Sequence, residues 1–94
     1  MPKYFTYKVS GYYLYFTSFC VIEAMHVHAN KDNTKEFGST KLWVHSDGST
    51  SVAEYGRNMT QKNLLEIQAF IKQYYIEMYE TLVNSGVTPE FRNK

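Results

Sequence analysis

The 94-residue sequence has little cysteine, no long apolar run and almost no excess of one charge. Its single cysteine, Cys20, excludes a framework of internal disulfides and is typical of a reducing compartment, so we expect a cytoplasmic protein. We interpret Cys20 as a small buried apolar residue rather than a nucleophile. No stretch reaches the ~18 consecutive apolar residues of a membrane span, so no membrane partner is expected. Ten Lys and Arg against nine Asp and Glu leave a net charge of +1, which is low for a protein that wraps nucleic acid.

Aromatic residues are abundant, and they are concentrated in the first half of the chain. Nine Tyr and six Phe, together with Thr, Val and Trp, predict strands up to Glu54, because aromatic and β-branched side chains favour extended backbone. The predicted strands are Tyr4–Val9, Tyr12–Phe19, Met25–Asn30, Ser39–His45 and Ser49–Glu54. Ser46–Gly48 is the clearest hairpin signal. The strand Tyr12–Phe19 is apolar on both faces, so it should be central in its sheet or covered on both sides.

From Thr60 the apolar residues recur every three or four positions, which predicts one long helix. Its main stripe comprises Leu64, Ile67, Ile71, Tyr75, Met78 and Leu82. Thr60 or Asn58 can cap the N-terminus, and Gly86 and Pro89 end the helix. The fold class is therefore α+β: one domain over residues 3–86, with an antiparallel sheet of four to five strands and the long C-terminal helix packed across it. We expect a flexible C-terminal tail over residues 87–94.

The predicted helix has more apolar surface than one sheet needs. Leu65, Ala69, Ile76 and Val83 form a second ridge beside the main stripe, and Phe70 falls on the opposite side. Either the N-terminal strand or the tail covers these five residues, or they bind a partner, because soluble monomers seldom expose large apolar patches. A homo-oligomer or a small cognate protein is the expected partner.

His26 and His28 are the most compact group of chemically active side chains. Residues i and i+2 of a strand point to the same face, so the two imidazoles lie side by side. Such a pair can act as an acid and a base or ligate a metal, and His45, Glu23 and Glu54 are the candidates for further ligands. Because none of these has a diagnostic spacing, no metal and no cofactor is predicted. We favour a structural role for the pair, with His26, His28 and His45 kept as catalytic candidates.

A cationic edge is the candidate RNA-contact surface. Lys35, Lys41 and Arg57 can lie near the aromatic side chain of Trp43, a combination of charge and stacking that suits RNA. Interspersed acidic residues favour the interpretation of a solvated mixed surface instead. The sequence has no phosphate-binding glycine loop, no Ser-His-Asp order and no paired-cysteine zinc spacing. Whether the protein is an enzyme stays open, and a non-enzymatic role is favoured.

Several segments follow one another in a specific order along the chain. They are Gly11–Phe16, Met25–His28 and Thr40–Val44, followed by Thr60, Leu64 and Ile67 in the helix. This order resembles a bacterial domain-of-unknown-function family, whose members typically read G-F-x-F-Y-F, P-P-H-V-H-V and A-K-F-W-L, then S-x-x-x-L-x-x-I. The resemblance covers roughly Lys3 to Asn84. Glu23–Met25 departs from the family pattern, which has a proline pair before the first histidine.

The resemblance implies a genetic context rather than a chemical activity. Genes of this family often lie beside a second small gene, in pairs that look like toxin–antitoxin modules. Two classes of function therefore stay open. In the first, this is an interaction protein that self-associates or binds a small partner through the helix ridge or a sheet edge. In the second, it is an RNA-binding protein or a ribonuclease-type toxin that uses His26 and His28.

Overall fold

The computed structural model describes residues 3–16, 24–31 and 38–92. Its elements are β1 (Tyr13–Tyr15), β2 (His26–Asn30), β3 (Thr40–Val44), β4 (Thr50–Glu54) and α1 (Gln61–Asn84). The four strands form one antiparallel sheet in the order β1-β2-β3-β4, and α1 follows them at the C-terminal end. The predicted α+β class is confirmed. In the part of the chain that the structure describes, no helix is long and apolar enough to cross a membrane.

The register of the strands separates the side chains of the sheet into two layers. Leu14 is opposite Ala29, and Val27 is opposite Leu42, so these side chains share a face and belong to the main hydrophobic core. Tyr15 is opposite His28, and His26 is opposite Trp43. Because successive side chains of a strand alternate between faces, these residues lie on the outer face, away from the core. The sheet therefore places its apolar residues against the helix and its imidazoles on the other side.

The helix α1 begins and ends where the sequence predicts. The Thr60 hydroxyl accepts a hydrogen bond from the backbone N–H of Asn63 at 3.1 Å, as an N-cap residue does. Gly86 has φ of +86°, the left-handed conformation that glycine adopts readily just after a helix. The buried residues of α1 are Leu64, Ile67, Ile71, Met78 and Leu82. They are the predicted main stripe without Tyr75, which is half-buried.

The predicted first strand, Tyr4–Val9, was wrong. This segment forms no regular strand, and Val9 makes only an isolated bridge with Tyr12. The rings of Phe5 and Tyr7 pack on the helix, whereas Tyr4 packs on Phe16 and donates its hydroxyl to the backbone carbonyl of His26. The ring of Phe5 meets that of Phe70 edge-on, with 5.2 Å between centroids. The segment crosses to the helix because an aromatic partner is available there, and that partner lies far away in the sequence. Tertiary packing has overridden the local strand preference.

The strand predicted over Tyr12–Phe19 is only partly within the described residues. The structure places β1 at Tyr13–Tyr15, while residues 17–23, including Cys20 and Glu23, lie outside the described ranges. Although β1 is at an edge of the sheet, Leu14 and Tyr15 are both 0% exposed and they point to opposite faces. The strand is therefore covered on both sides, which was one of the two arrangements that its apolar pattern predicted.

The predicted hairpin between β3 and β4 is confirmed, and it is attached to the helix. The ammonium of Lys72 donates to the carbonyl oxygen of Asp47 at 2.7 Å. Ser49 donates its hydroxyl at 2.6 Å and its backbone N–H at 2.9 Å to the Asp47 carboxylate. These two bonds, with the nearby charge of Lys72, lower the pKa of Asp47 from 3.8 to about 2. The tip of the hairpin is thereby held against α1.

Residues 87–92, which belong to the predicted flexible tail, contact the sheet and the helix. Val87 is buried, and the ring of Phe91 stacks on Tyr79 with 5.7 Å between centroids. The carbonyl of Glu90 accepts a 2.6 Å bond from the backbone N–H of Met25. The flexibility of 87–94 stays a prediction, and these contacts show what would have to break for residues 87–92 to move.

Candidate functional site

The outer face of the sheet carries a layer of imidazole and aromatic rings. His26 and His28 meet edge-on, with centroids 5.1 Å apart, as expected for neighbours on one face of a strand. His28 stacks on Tyr15 at 5.6 Å, and His26 meets Trp43 edge-on at 5.6 Å. We call Tyr15, His26, His28 and Trp43 the ring layer. Contacts of this kind stabilise a fold by about 0.5–1.5 kcal/mol each beyond the buried area.

Both histidines of the ring layer are buried. His26 is 1% exposed and His28 is 4% exposed. The Nδ1 of His26 is 2.8 Å from the carbonyl oxygen of Ala24, and since a carbonyl can only accept, Nδ1 carries the proton. The Nδ1 of His28 is 3.2 Å from the Ser39 hydroxyl. These hydrogen bonds orient the two rings within the fold.

His45, the third catalytic candidate, joins three parts of the structure. Its Nδ1 donates to the backbone carbonyl of Arg92, and its Nε2 is hydrogen-bonded to the Ser51 hydroxyl. Both ring nitrogens are thus engaged by partners in β4 and in the C-terminal segment. Within residues 3–16, 24–31 and 38–92, no group of three His, Cys, Asp or Glu side chains is arranged to hold a metal ion. The structure brings His26 and His28 together and gives His45 a separate set of contacts.

Cations stand over aromatic rings at two places on the outer face. The ammonium of Lys41 is 4.6 Å from the Trp43 ring centroid, and the guanidinium of Arg92 is 4.9 Å from it. Lys3 and Lys8 lie over Tyr13 at 4.4 and 5.1 Å. Each arrangement is a cation–π contact worth roughly 0.5–1 kcal/mol at an exposed site.

The candidate RNA-contact residues are therefore only partly assembled. Lys41 and Trp43 are together, whereas Arg57 is exposed in the connection between β4 and α1, and Lys35 lies outside the described residues. The sequence interpretation did not include Arg92 or Tyr15. The strand register places Tyr15 beside His28, and nothing near Arg92 in the chain indicates its contact with Trp43.

The second ridge of the helix is exposed along its whole length. Leu65 is 56% exposed, Ile76 is 58% exposed and Val83 is 47% exposed; Ala69 is also exposed. We call these four residues the helix ridge. Phe70 differs from them, because it is half-buried and its ring contacts Phe5, Tyr7 and Tyr74 of the same chain.

These features define a small α+β domain in which an antiparallel sheet carries one long helix on one face and a ring layer on the other. The chain belongs to the family described as Domain of unknown function (DUF4160), whose sequence model matches residues 11–81. That match includes the aromatic, histidine and tryptophan segments and most of α1. The expected membership of an uncharacterised domain family is confirmed. Comparisons with curated proteins and with solved structures gave no match.

Proposed function

We propose that this is a small bacterial interaction protein, one component of a cytoplasmic toxin–antitoxin-like pair, that associates with a second copy of itself through the helix ridge. The observation that carries the proposal is the exposure of Leu65, Ile76 and Val83 on one side of α1. Fully burying such a side chain is worth about 1.5–3 kcal/mol, so covering a half-exposed one contributes about 1 kcal/mol. Three such side chains in one row favour a partner surface over scattered exposure.

The spacing of the helix ridge suits a helical partner. One row of the helix surface has residues spaced alternately by four and by three positions: Leu65, Ala69, Lys72, Ile76, Tyr79 and Val83. This is the spacing with which two helices pack side by side. A second copy of α1 presents the same row. Phe70 is not part of this proposal, because its ring already packs within the chain.

The test is the oligomeric state of two variants that each add one negative charge. Ile76→Glu places that charge on the helix ridge, and Gln73→Glu places it on an exposed position one turn away. We expect sedimentation velocity to show a dimer for the wild type and for Gln73→Glu, and a monomer for Ile76→Glu. All three should unfold cooperatively and show the same far-UV circular dichroism, because Ile76 is 58% exposed and its loss leaves the core intact.

A small cognate protein is the other possible occupant of the ridge, and the same variants test it. If the wild type is monomeric, it should be co-expressed with the product of the neighbouring gene and purified. If Ile76→Glu abolishes this complex and Gln73→Glu retains it, the ridge binds the neighbouring protein, and the assembly is a heterodimer rather than a homodimer. A monomer that forms no such complex refutes the interaction function. Growth after induction, with and without the neighbouring gene, tests the toxin–antitoxin context.

One observation favours RNA binding as a second candidate function. Lys41 and Arg92 converge on Trp43 at the outer face, and a cation beside an indole can meet a phosphate and stack on a base. The burial of His26 and His28 favours binding over cleavage, because a substrate phosphate needs access to the imidazoles. A filter-binding titration of Lys41→Gln together with Arg92→Gln tests this candidate. Wild-type binding of single-stranded RNA that weakens in this variant supports it, and no wild-type binding at low salt refutes it.

A further inference from the structure

Among the described residues no strand pairs with β4 on the side away from β3, so β4 is an edge strand there, and its backbone hydrogen-bonding groups can be assigned a direction. The N–H of Val44 donates to Met25 on the β2 side at 3.0 Å, so it points away from β4. Val44 is opposite Thr50, so the two form a non-hydrogen-bonded antiparallel pair. Both residues of such a pair direct their N–H and C=O groups away from each other. Thr50 therefore points its backbone groups away from β3. By the two-residue period of a strand, Val52 does the same.

The open edge of β4 lies on the same flank of the domain as the helix ridge. Lys72 stands between Ala69 and Ile76 in one row of the helix surface, and its ammonium reaches the carbonyl of Asp47 in the β3–β4 hairpin. The ridge therefore runs along the side of α1 that faces this hairpin. On that side Val52 is 41% exposed, although it is paired with the fully buried Leu42.

We propose that two copies of the chain join by antiparallel pairing of β4 with β4, with Ser51 at the two-fold axis. The proposal rests on the self-association proposed above and names how it occurs. In this register Thr50 of each copy is opposite Val52 of the other. These are the residues whose backbone groups point outwards, so each pair exchanges both of its N–H···O bonds. The two sheets become one continuous sheet with both helices on the same face.

The composition of β4 favours a second copy as the occupant of this edge. Edge strands are usually protected by proline, lysine, an inward-pointing charge or a β-bulge. The sequence of β4 is Thr-Ser-Val-Ala-Glu, and its register against β3 shifts only after Val52, so Thr50–Val52 form a regular edge without proline or charge. Its one charge, Glu54, lies beyond this register shift, outside the residues that would pair across the axis. The same pairing places Val52 beside Thr50 of the second copy and brings the hairpin flanks of the two helices toward each other. The strand edge and the helix ridge are then covered by one partner.

A cysteine at the two-fold axis tests the register directly. In the proposed pairing the two Ser51 residues form a non-hydrogen-bonded pair, in which Cα atoms are about 4.5 Å apart. This separation permits a disulfide. We would introduce Ser51→Cys in a Cys20→Ser background and analyse it by non-reducing electrophoresis after mild oxidation. The matched control is Ala53→Cys, because two residues at this position would be separated by about 14 Å and cannot be bridged.

We expect Ser51→Cys to run mainly as a covalent dimer and Ala53→Cys to run as a monomer, with circular dichroism showing both to be folded. If the wild type is a dimer that dissociates in Ile76→Glu, but Ser51→Cys forms no covalent dimer, the pairing of β4 is overturned and the ridge proposal stands. Cross-linking at Ala53→Cys instead would also overturn this register. A protein that is monomeric throughout would refute both proposals. If Ser51→Cys fails to fold because its bond to His45 is lost, Thr50→Cys mixed with Val52→Cys gives the same test, since these residues face each other across the axis.

Discussion

Replacing Gly48 by alanine is expected to destabilise the protein by about 3 kcal/mol, for two reasons. Gly48 has φ of +85°, and a left-handed conformation costs an L-residue about 1–2 kcal/mol. An added Cβ would also lie 2.5 Å from Cδ1 of Tyr75 and 2.7 Å from Cε1. The ring would have to move away, and overpacking of this kind costs about 1–3 kcal/mol. The tip of the hairpin approaches the helix this closely because residue 48 has no side chain.

Thermal unfolding followed by circular dichroism measures this loss. For a domain of this size each kcal/mol moves Tm by about 4–8 °C, so Gly48→Ala should melt about 12–24 °C below the wild type. Gly86→Ala is the matched control. It has nearly the same φ, +86°, and no heavy atom lies within 4 Å of its added Cβ. Only the conformational cost applies at Gly86, so the expected loss is about 1 kcal/mol.

The difference between the two alanine variants isolates the contact with Tyr75. Equal losses of stability in Gly48→Ala and Gly86→Ala would refute the reasoning, because the added Cβ at residue 48 would then have no steric cost against Tyr75. A double-mutant cycle gives a second measurement. In a Tyr75→Ala background, the further cost of Gly48→Ala should fall to about that of Gly86→Ala.

The remaining predictions concern the ring layer, the C-terminal segment and the hairpin. Replacing both His26 and His28 by alanine should lower the free energy of unfolding by about 3 kcal/mol or more in a urea titration, because buried rings are lost; an unchanged midpoint would contradict a structural role for the pair. Deleting residues 87–94 should lower Tm by several degrees through loss of the contacts of residues 87–92, whereas an unchanged Tm would mean that the segment is a free tail. The pKa of Asp47 is lower in the folded protein than in the unfolded chain. This carboxylate therefore stabilises the protein above pH 3.8, and that stability is lost as the pH falls toward about 2. Asp47→Asn should therefore flatten the dependence of Tm on pH in this range. If the Tm of the wild type and of Asp47→Asn falls identically with pH, the pH dependence does not come from Asp47.

Predictions from local pattern succeeded where one short segment contains both the signal and its cause. The hairpin at Ser46–Gly48 depends on turn residues and on a glycine with positive φ. Thr60 bonds to a backbone group three residues away, so its capping role is visible in the sequence. The burial of Leu64, Ile67 and Ile71 follows from their shared angular position on one stripe of the helix.

The candidate site was predicted only as far as periodicity reaches. The two-residue period of a strand places His26 and His28 on one face, and their rings do contact each other. The burial of that face was not predictable, because a strand pattern says nothing about what covers each side. The rings of Tyr15 and Trp43 meet the histidines through the register of the neighbouring strands. Register depends on pairing between segments that are separated in the sequence.

The sequence by itself determined the division into a sheet and one helix, most of the stripe that the helix buries and the position of the second apolar ridge beside it. These properties follow from the spacing of apolar residues, which acts over a few positions along the chain. Only the tertiary structure decided that Phe5 and Tyr7 pack on the helix, that the imidazoles are buried and that Glu90 returns to bond with Met25, just before β2. Each of these outcomes depends on a partner that is distant in the sequence. Local preference cannot predict them, because packing between distant segments outweighs it in the folded chain.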